Sequence, residues 1–485
     1  MGGTLGDQIT DLKVTADGGF VLTGFTYSND GDIVGNHGME DAWVVKLNDT
    51  GGMQWQRVMG GTQQDRGLSI LSTGDGGCLM SGWTRSSDGD LTSNYGGGDA
   101  WLIKLDANGS TQWQRQFGGS ENDELIDIIT TTDGGYLAVG ESRSNDGDLT
   151  ENFGSNDGWV VKLDSNGDIL WQVMLGGSGI DYLVAVRQTL DGGYITVGYS
   201  SSTGGGNIGA GQHGGFDSWV VKLDATGAIE WQRLLGGSED DYGAAIEAIS
   251  TGGYILGGGT GSYDGDVTGY HGNNDAWLVE LDNTGAIEWA KPFGGPGVDG
   301  AWSIVAMADG GFVFSGFSGQ EGGDVSGAHG YYDMWLVRVN GTGALEWQKC
   351  MGGTSQEHAN AIQSTVDGGS LLAGFTQSDD GDVIEELGSS DGWIVKLSPW
   401  VGMEERERFV AMAAPNPSAG LLHITSSLPL HNAQLTLCDL LGREVHHERM
   451  DGSLWTVHLG ELQPGAYMLT LTSSDGSAAL RIIRE

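Results

Sequence analysis

Gly118-Gly119-Ser120, then Asp123, a short apolar run, Asp133-Gly134-Gly135-Tyr136, Gly140, Asp146-Gly147-Asp148, Asp157-Gly158-Trp159-Val160-Val161-Lys162-Leu163-Asp164 and Trp171-Gln172: this stretch decides the fold. It is one of seven copies. The Asp-Gly-Gly element starts at Asp17, Asp75, Asp133, Asp191, Thr251, Asp309 and Asp367, in steps of 58, 58, 58, 60, 58 and 58 residues. Trp43, Trp101, Trp159, Trp219, Trp277, Trp335 and Trp393 keep step, and a second tryptophan follows each of the first six by twelve residues. So strict a register means equivalent units that bury their faces against one another.

Within a unit, Trp159, Val161 and Leu163 alternate with Val160 and Lys162, the period of a β-strand. A short small-residue strand precedes Asp-Gly-Gly, another follows it, and a last one ends in Trp-Gln. Asp164 to Gly167 is a turn in which glycine takes positive φ. No segment has capped helical spacing. Four antiparallel strands in each of seven units fit radial packing, so residues 1–397 are expected to form a seven-bladed β-propeller. A linear solenoid is the rival. The tryptophan due at 405 is Glu405, so the seventh blade lacks its outer strand or takes it from upstream of Met1. The chain opens inside the repeat with no signal-peptide pattern and reads as a mature or trimmed form.

Composition narrows the function. Of 485 residues, 65 are acidic and 22 basic, a formal charge of −43, which supplies no footprint for nucleic acid and disfavours anionic membranes. The 17 tryptophans and 38% hydrophobic content favour a folded, strongly solvated particle over disorder. Glycine numbers 88, but seven prolines and no triplet period exclude collagen. Cys78, Cys350 and Cys438 are too few and too scattered for a disulfide framework or a zinc site. No apolar run is long enough to span a membrane as a helix.

The repeats resemble the bacterial propeller units that open with Gly-Gly-Ser-x-x-Asp, a likeness that speaks to fold and little to function. Beyond them the composition changes. Residues 398–412 read as a charged linker, and residues 413–485, with seven acids and four bases, as a small Ig-like β-sandwich of roughly seven strands. Pro415-Asn416-Pro417 with Gly420, Asp439 to Gly442, Gly465 with Tyr467, and Arg481 with Arg484 follow one another in this tail. That order resembles the C-terminal sorting domain of the type IX secretion system of Bacteroidetes and relatives, with arginines at the usual terminal lysines. The resemblance implies export across the outer membrane by that machinery, removal of the tail, and a protein secreted or attached to the outer surface.

Candidate chemistry sits in the loops. Asp30/Asp32, Asp88/Asp90, Asp146/Asp148, Asp264/Asp266 and Asp380/Asp382 are candidate calcium ligands, calcium being the one cofactor the sequence suggests. The same spacing also serves a turn whose aspartates accept backbone amides. A second acidic row, from Asp7 to Glu357, is expected to ring one mouth of the channel or to cap its Gly-Gly turn. His37, His213, His271 and His329 share their place with Tyr95, Phe153 and Leu387, which reads as space-filling. A row repeated symmetrically does not supply the distinct roles of an active site.

Trp83, Trp302, Tyr331 and Tyr332 break the period and are the candidate ligand-binding residues; no catalytic set stands out. The expectation is an exported binding, adhesion or scaffold module for an extracellular glycan or protein, its surface at one rim. The alternatives are a secreted polysaccharide-degrading enzyme, which needs two inequivalent acids facing one cleft, and a purely structural surface protein. The oligomeric state is not legible.

Overall fold

The computed structural model describes residues 1–398 apart from 150, 210, 251, 366–367 and 385–387, and then 411–414, 418, 420–439, 443–460, 462–473 and 476–484. Two compact units result, Met1–Pro399 and Trp400–Glu485. The first is a seven-bladed propeller. Six blades are four-stranded antiparallel sheets whose strands pair in chain order. Blade three is typical, with Asp123–Thr130 innermost, then Tyr136–Ser142, Asp157–Leu163 and Ile169–Leu175 outermost. Every residue of Tyr136–Ser142 and Asp157–Leu163 is buried. The alternation that marks the third strand therefore assigns residues to two covered faces, one against each neighbouring blade.

A bulge in each inner strand, such as the register shift at Val139/Gly140, brings that strand close to the second. The second-strand glycine is required there: a Cβ on Gly140 would lie 1.9 Å from the Glu124 carbonyl oxygen. The outer-strand tryptophan lies on the next blade's turn. The ring of Trp113 covers Gly167, whose φ is 80°. Third-strand lysines reach back to the Asp-Gly-Gly turn, as Lys46 does to Asp17 at 2.9 Å and Lys104 to Asp75 at 2.9 Å. In blade six Arg338 pairs with Asp309. In blade five, where the aspartate has become Thr251, the lysine has become Glu280, which accepts the Trp289 indole N–H at 2.6 Å.

The ring closes. The Asp7 amide donates to Ser390 O at 2.8 Å, Asn360 Nδ2 donates to Ile9 O at 2.8 Å, and Ile9, Leu12 and Leu22 share a core with Leu371 and Ala373. The Gly6–Ser390 bridge repeats those at other junctions, such as Gly98–Asn122 and Tyr332–Gln356. Blade seven has three described strands, Glu357–Ser364, Ser370–Thr376 and Asp391–Leu397.

The second unit is a small curved sandwich made from one antiparallel sheet of five strands: Ala411–Ala414, Leu421–Asp439, Glu444–His458, Gly465–Ser473 and Gly476–Arg484. Among the described residues fewer strands than expected appear, because Leu421–Asp439 runs on through irregularities at Thr425/Leu430 and Leu430/Ala433 and so bends over its own core. That core includes Leu422, Leu435, Trp455, Val457 and Leu469.

Candidate functional site

The repeated acids hold turns together. Asp30, Asp88, Asp146, Asp264 and Asp380 accept the amides of Thr4, Thr62, Ser120, Ser238 and Thr354 at 2.7–2.8 Å. Their partners Asp32, Asp90, Asp148, Asp266 and Asp382 accept the amides of Gly2, Gly60, Gly118, Gly236 and Gly352 at 3.1–3.4 Å. Each loop thereby clasps the Gly-Gly turn that opens its own unit. In blade four Asn207 does the same for Gly176 at 2.9 Å. Among the described residues no three acidic, histidine or cysteine side chains are grouped so as to hold a metal ion.

The row from Asp7 to Glu357 is fully buried and does not line an open mouth. Asp7, for example, accepts the Gly3 amide at 2.7 Å and the Ser28 hydroxyl at 2.9 Å. Beside each lies an acid of the preceding blade. A Cβ on Gly60 would sit 2.6 Å from Asp65 and 2.7 Å from Asp41. Burial and the facing carboxylate push Asp41 above its ordinary value and carry Asp99 and Asp157 up to about 6. His37, His271 and His329 each turn Nδ1 toward the acid four residues on, at 2.8, 3.2 and 3.1 Å; His213 Nδ1 stands 3.5 Å from Asp217.

Unit-specific chemistry collects elsewhere, along the channel. The seven inner strands surround a cavity of about 520 Å³. Asp11, Ser69, Asp127, Ala185, Ala245, Ser303 and Ala361 occupy one repeat position and line it. Asp11 accepts the Ile70 amide of blade two at 3.0 Å and pairs with Lys13 at 2.7 Å. Asp127 accepts the Val186 amide of blade four at 2.9 Å. Arg187 joins Asp127 at 3.0 Å and Glu247 at 2.7 Å. The charged chain occupies blades one to five, and blades six and seven line the cavity with uncharged residues, among them Trp302, Ser303, Asn360 and Gln363.

At one end the channel opens into a ring of varied residues. The second position of each inner strand, with its cross-strand neighbour, is Gln8–Phe25, Arg66–Trp83, Glu124–Glu141, Tyr182–Tyr199, Tyr242–Gly259, Gly300–Phe317 and His358–Phe375. Three of the four predicted ligand residues meet here. Trp302, 38% exposed, lies 5.8 Å from Phe317; Phe317 is 5.0 Å from Tyr332, and Tyr332 is 4.6 Å from Tyr331, which is 62% exposed. Phe317 also stacks on His358 at 4.4 Å, and His358 on Phe375 at 4.9 Å. Burial drives the His358 imidazole down to about 4, so it is neutral at pH 7. Trp83 belongs to another part of the same ring and is buried, its face 5.6 Å from an Arg66 that grips Glu40 through two bonds of 2.7 and 3.0 Å.

Two features of the mouth escaped the sequence reading. Tyr182, Tyr199, Phe216 and Tyr242 form a second aromatic cluster, with centroids 4.8–5.7 Å apart. Next to it Glu124 and Glu141 lie directly opposite on adjacent strands. Asn156 Nδ2 donates to Glu141 and stands 3.1 Å from the Tyr182 hydroxyl. Burial, and then the Glu141 charge, carries Glu124 up to about 7. Comparing one repeat position across all seven units exposes both features; seeking residues that break the tryptophan period does not.

Known proteins identify the tail. Residues 413–485 match the family of secretion system C-terminal sorting domains. This chain carries a type IX sorting domain. It is accordingly a propeller exported by that machinery, secreted or held at the outer surface. Gly420 lies in a bend, Asp439 ends one strand of the domain and Gly465 begins another. The Tyr467 hydroxyl donates to Gln463 O at 2.7 Å and Arg484 Nε to Leu459 O at 3.1 Å, while Arg481 lies in the last strand. Pro415, Asn416, Pro417 and Gly442 lie outside the described residues.

The chain is 24% identical over 283 residues to regulatory protein FlaEY of Caulobacter vibrioides, a match covering 52% of this chain and 29% of that protein. It thus spans under a third of that relative's length. Among solved structures it is similar to the Pan2 WD40 domain of Neurospora crassa (TM-score 0.43, 10% identity, 75% of this chain and 85% of that one). It is also similar to PorZ, a surface component of the type IX secretion system of Porphyromonas gingivalis (TM-score 0.37, 11% identity, 98% and 59%).

Proposed function

We propose that this exported propeller is a binding module whose ligand seats on the mouth of the channel, with a glycan as the favoured class. One observation carries the reading: aromatic side chains that belong to single units, not to the repeat, collect around that mouth. Trp302, Tyr331 and Tyr332 offer ring faces on which a pyranose can stack. The test is a glycan array on the full chain, followed by calorimetry of the best hit. Trp302→Ala is expected to weaken binding at least ~10-fold, about 1.4 kcal/mol. Equal binding by wild type and variant, or none to any glycan or surface protein, overturns the reading.

The Glu124–Glu141 pair supports a second reading, a glycan-cleaving enzyme. Two acids of unequal environment beside an aromatic cluster are what general acid–base hydrolysis needs. Release of reducing ends from a bound polymer, abolished in Glu124→Gln, is its signature. Binding without any release leaves the first reading standing alone.

A further inference from the structure

One backbone donor recurs around the channel. The residue that follows the channel position of Asp11 is Leu12, and its equivalents are Ile70, Ile128, Val186, Ile246, Ile304 and Ile362. Each stands opposite the same place in its second strand, as Leu12 does Leu22, Ile246 does Leu256 and Ile304 does Phe314. In five blades this amide donates to a side chain and so is not spent on the blade's own ladder. Asp11 takes two of them: Oδ1 accepts the Leu12 N–H at 2.7 Å, and Oδ2 accepts that of Ile70, in the next blade, at 3.0 Å. Asp127 repeats the clasp, with Oδ1 on Ile128 and Oδ2 on Val186, both at 2.9 Å. The Ser303 hydroxyl accepts the Ile362 amide at 3.3 Å.

One clasp is missing. The aspartates of blades one and three each serve their own blade and the next. The same spacing calls for a third in blade five, serving Ile246 and Ile304, and the residue there is Ala245. The blade before it offers only Ala185 at that position. Among the described residues no side chain accepts the amide of Ile246 or of Ile304. Both residues are buried, and a buried N–H left without an acceptor is rare and costly.

The gap opens on the channel. Ala245, Ser303 and Ile304 line the cavity of about 520 Å³, together with Tyr199, Tyr242 and Trp302. Each acid of that wall already has a cation beside it. Glu247 pairs with Arg187 at 2.7 Å, Asp127 with the same guanidinium at 3.0 Å, and Asp11 with Lys13 at 2.7 Å.

We propose that the gap over Ala245 is a carboxylate-binding site. A ligand carboxylate gives one oxygen to the Ile246 N–H and the other to the Ile304 N–H, as Asp127 does for Ile128 and Val186. The proposal rests on the channel mouth as the binding surface and adds the class of sugar. That sugar is a uronic acid, its ring against Trp302 and its carboxylate in the channel.

The test titrates D-glucuronate into the full chain, isotopically labelled in its isoleucine amides, with the two resonances assigned from Ile246→Val and Ile304→Val. Glucuronate is expected to move both and to saturate them, and D-glucose, which lacks the carboxylate, to move neither. Ala245→Asp supplies the carboxylate from within. It is expected to weaken glucuronate binding at least ~10-fold and to raise Tm by ~2 °C or more. Should that variant fail to fold, the titration of the unaltered chain still decides. Both resonances unmoved by glucuronate, or moved equally by glucose, overturn the proposal, as does a folded Ala245→Asp chain that binds glucuronate unchanged. Movement by N-acetylalanine and none by glucuronate overturns the sugar as the carrier of the carboxylate. Glycan capture on an array with both amides unmoved overturns this site and leaves the mouth reading standing. Glucuronate binding that Trp302→Ala leaves unchanged overturns the mouth reading and leaves the two amides as the anion's partners.

Discussion

Asp157 of blade three and Asp181 of blade four turn their carboxylates toward one another across Gly176, where a Cβ would lie 2.1 Å from one and 2.8 Å from the other. Both are fully buried, and Asp157 Oδ1 has no hydrogen-bond partner among the described residues. Equivalent pairs recur at other junctions, so the propeller carries a ring of buried acids between its blades.

That ring sets a pH dependence. With Asp99 and Asp157 at about 6 when folded and 3.8 ordinarily, the folded protein binds more protons than the unfolded one between those values. Stability therefore falls as pH rises from about 4 through 6. The Asp-Gly-Gly acids act oppositely. Hydrogen bonds from Thr15 and Lys46 hold Asp17 at about 2, and Asp133 and Asp191 are likewise held at about 2, so their contribution is lost as pH falls below 4. Thermal melts are expected to peak between pH 4 and 5 and to lie ~5 °C or more lower at pH 8.

Asp157→Asn isolates one pair. Its side-chain oxygen can still accept the Gly154 amide, which Asp157 accepts at 3.2 Å, and its amide can donate to Asp181. The variant is expected to gain about 1–2 kcal/mol at pH 8 and nothing at pH 4, read from urea unfolding. A loss at both pH values would show that the pair is no source of strain.

Gly176→Ala tests the same contact by crowding. A methyl group cannot share the space with two carboxylate oxygens, and a loss of about 2–4 kcal/mol is expected at every pH.

Arg187 joins two channel acids, and its removal takes the cation from both. Arg187→Met is expected to cost about 1–3 kcal/mol at pH 7, and Glu247→Gln in the same chain to restore part of it. Denaturant midpoints of the two variants decide the matter.

Cys78 and Cys350 are buried, and burial carries the Cys78 thiol up to about 12 and the Cys350 thiol higher still. Neither is expected to react with a thiol reagent in the native protein over hours, and both to react within minutes in denaturant. Mass spectrometry of the labelled peptides reads this directly.

The propeller was legible because its period is long, strict and carried by tryptophans whose burial depends on neighbouring copies. The ring of acids was legible as a row but not as a contact, because Asp41 and Asp65 belong to different units and meet only when blades stack. The mouth was half legible. Trp302, Tyr331 and Tyr332 stand out by breaking the pattern, whereas Glu124 and Tyr199 hide at positions every unit fills differently. The tail's strand count misled because irregular pairing let Leu421–Asp439 continue where separate strands were expected.

The acids and glycines that join each blade to the next recur in every copy. Substitution at the second place of an inner strand leaves those acids and glycines unchanged, even where that place also reaches the next blade, as Arg66 does to Glu40. Lineages of this architecture are free to diverge in what they recognise while keeping one scaffold, so distant members should agree in their acids and glycines and differ most around the opening.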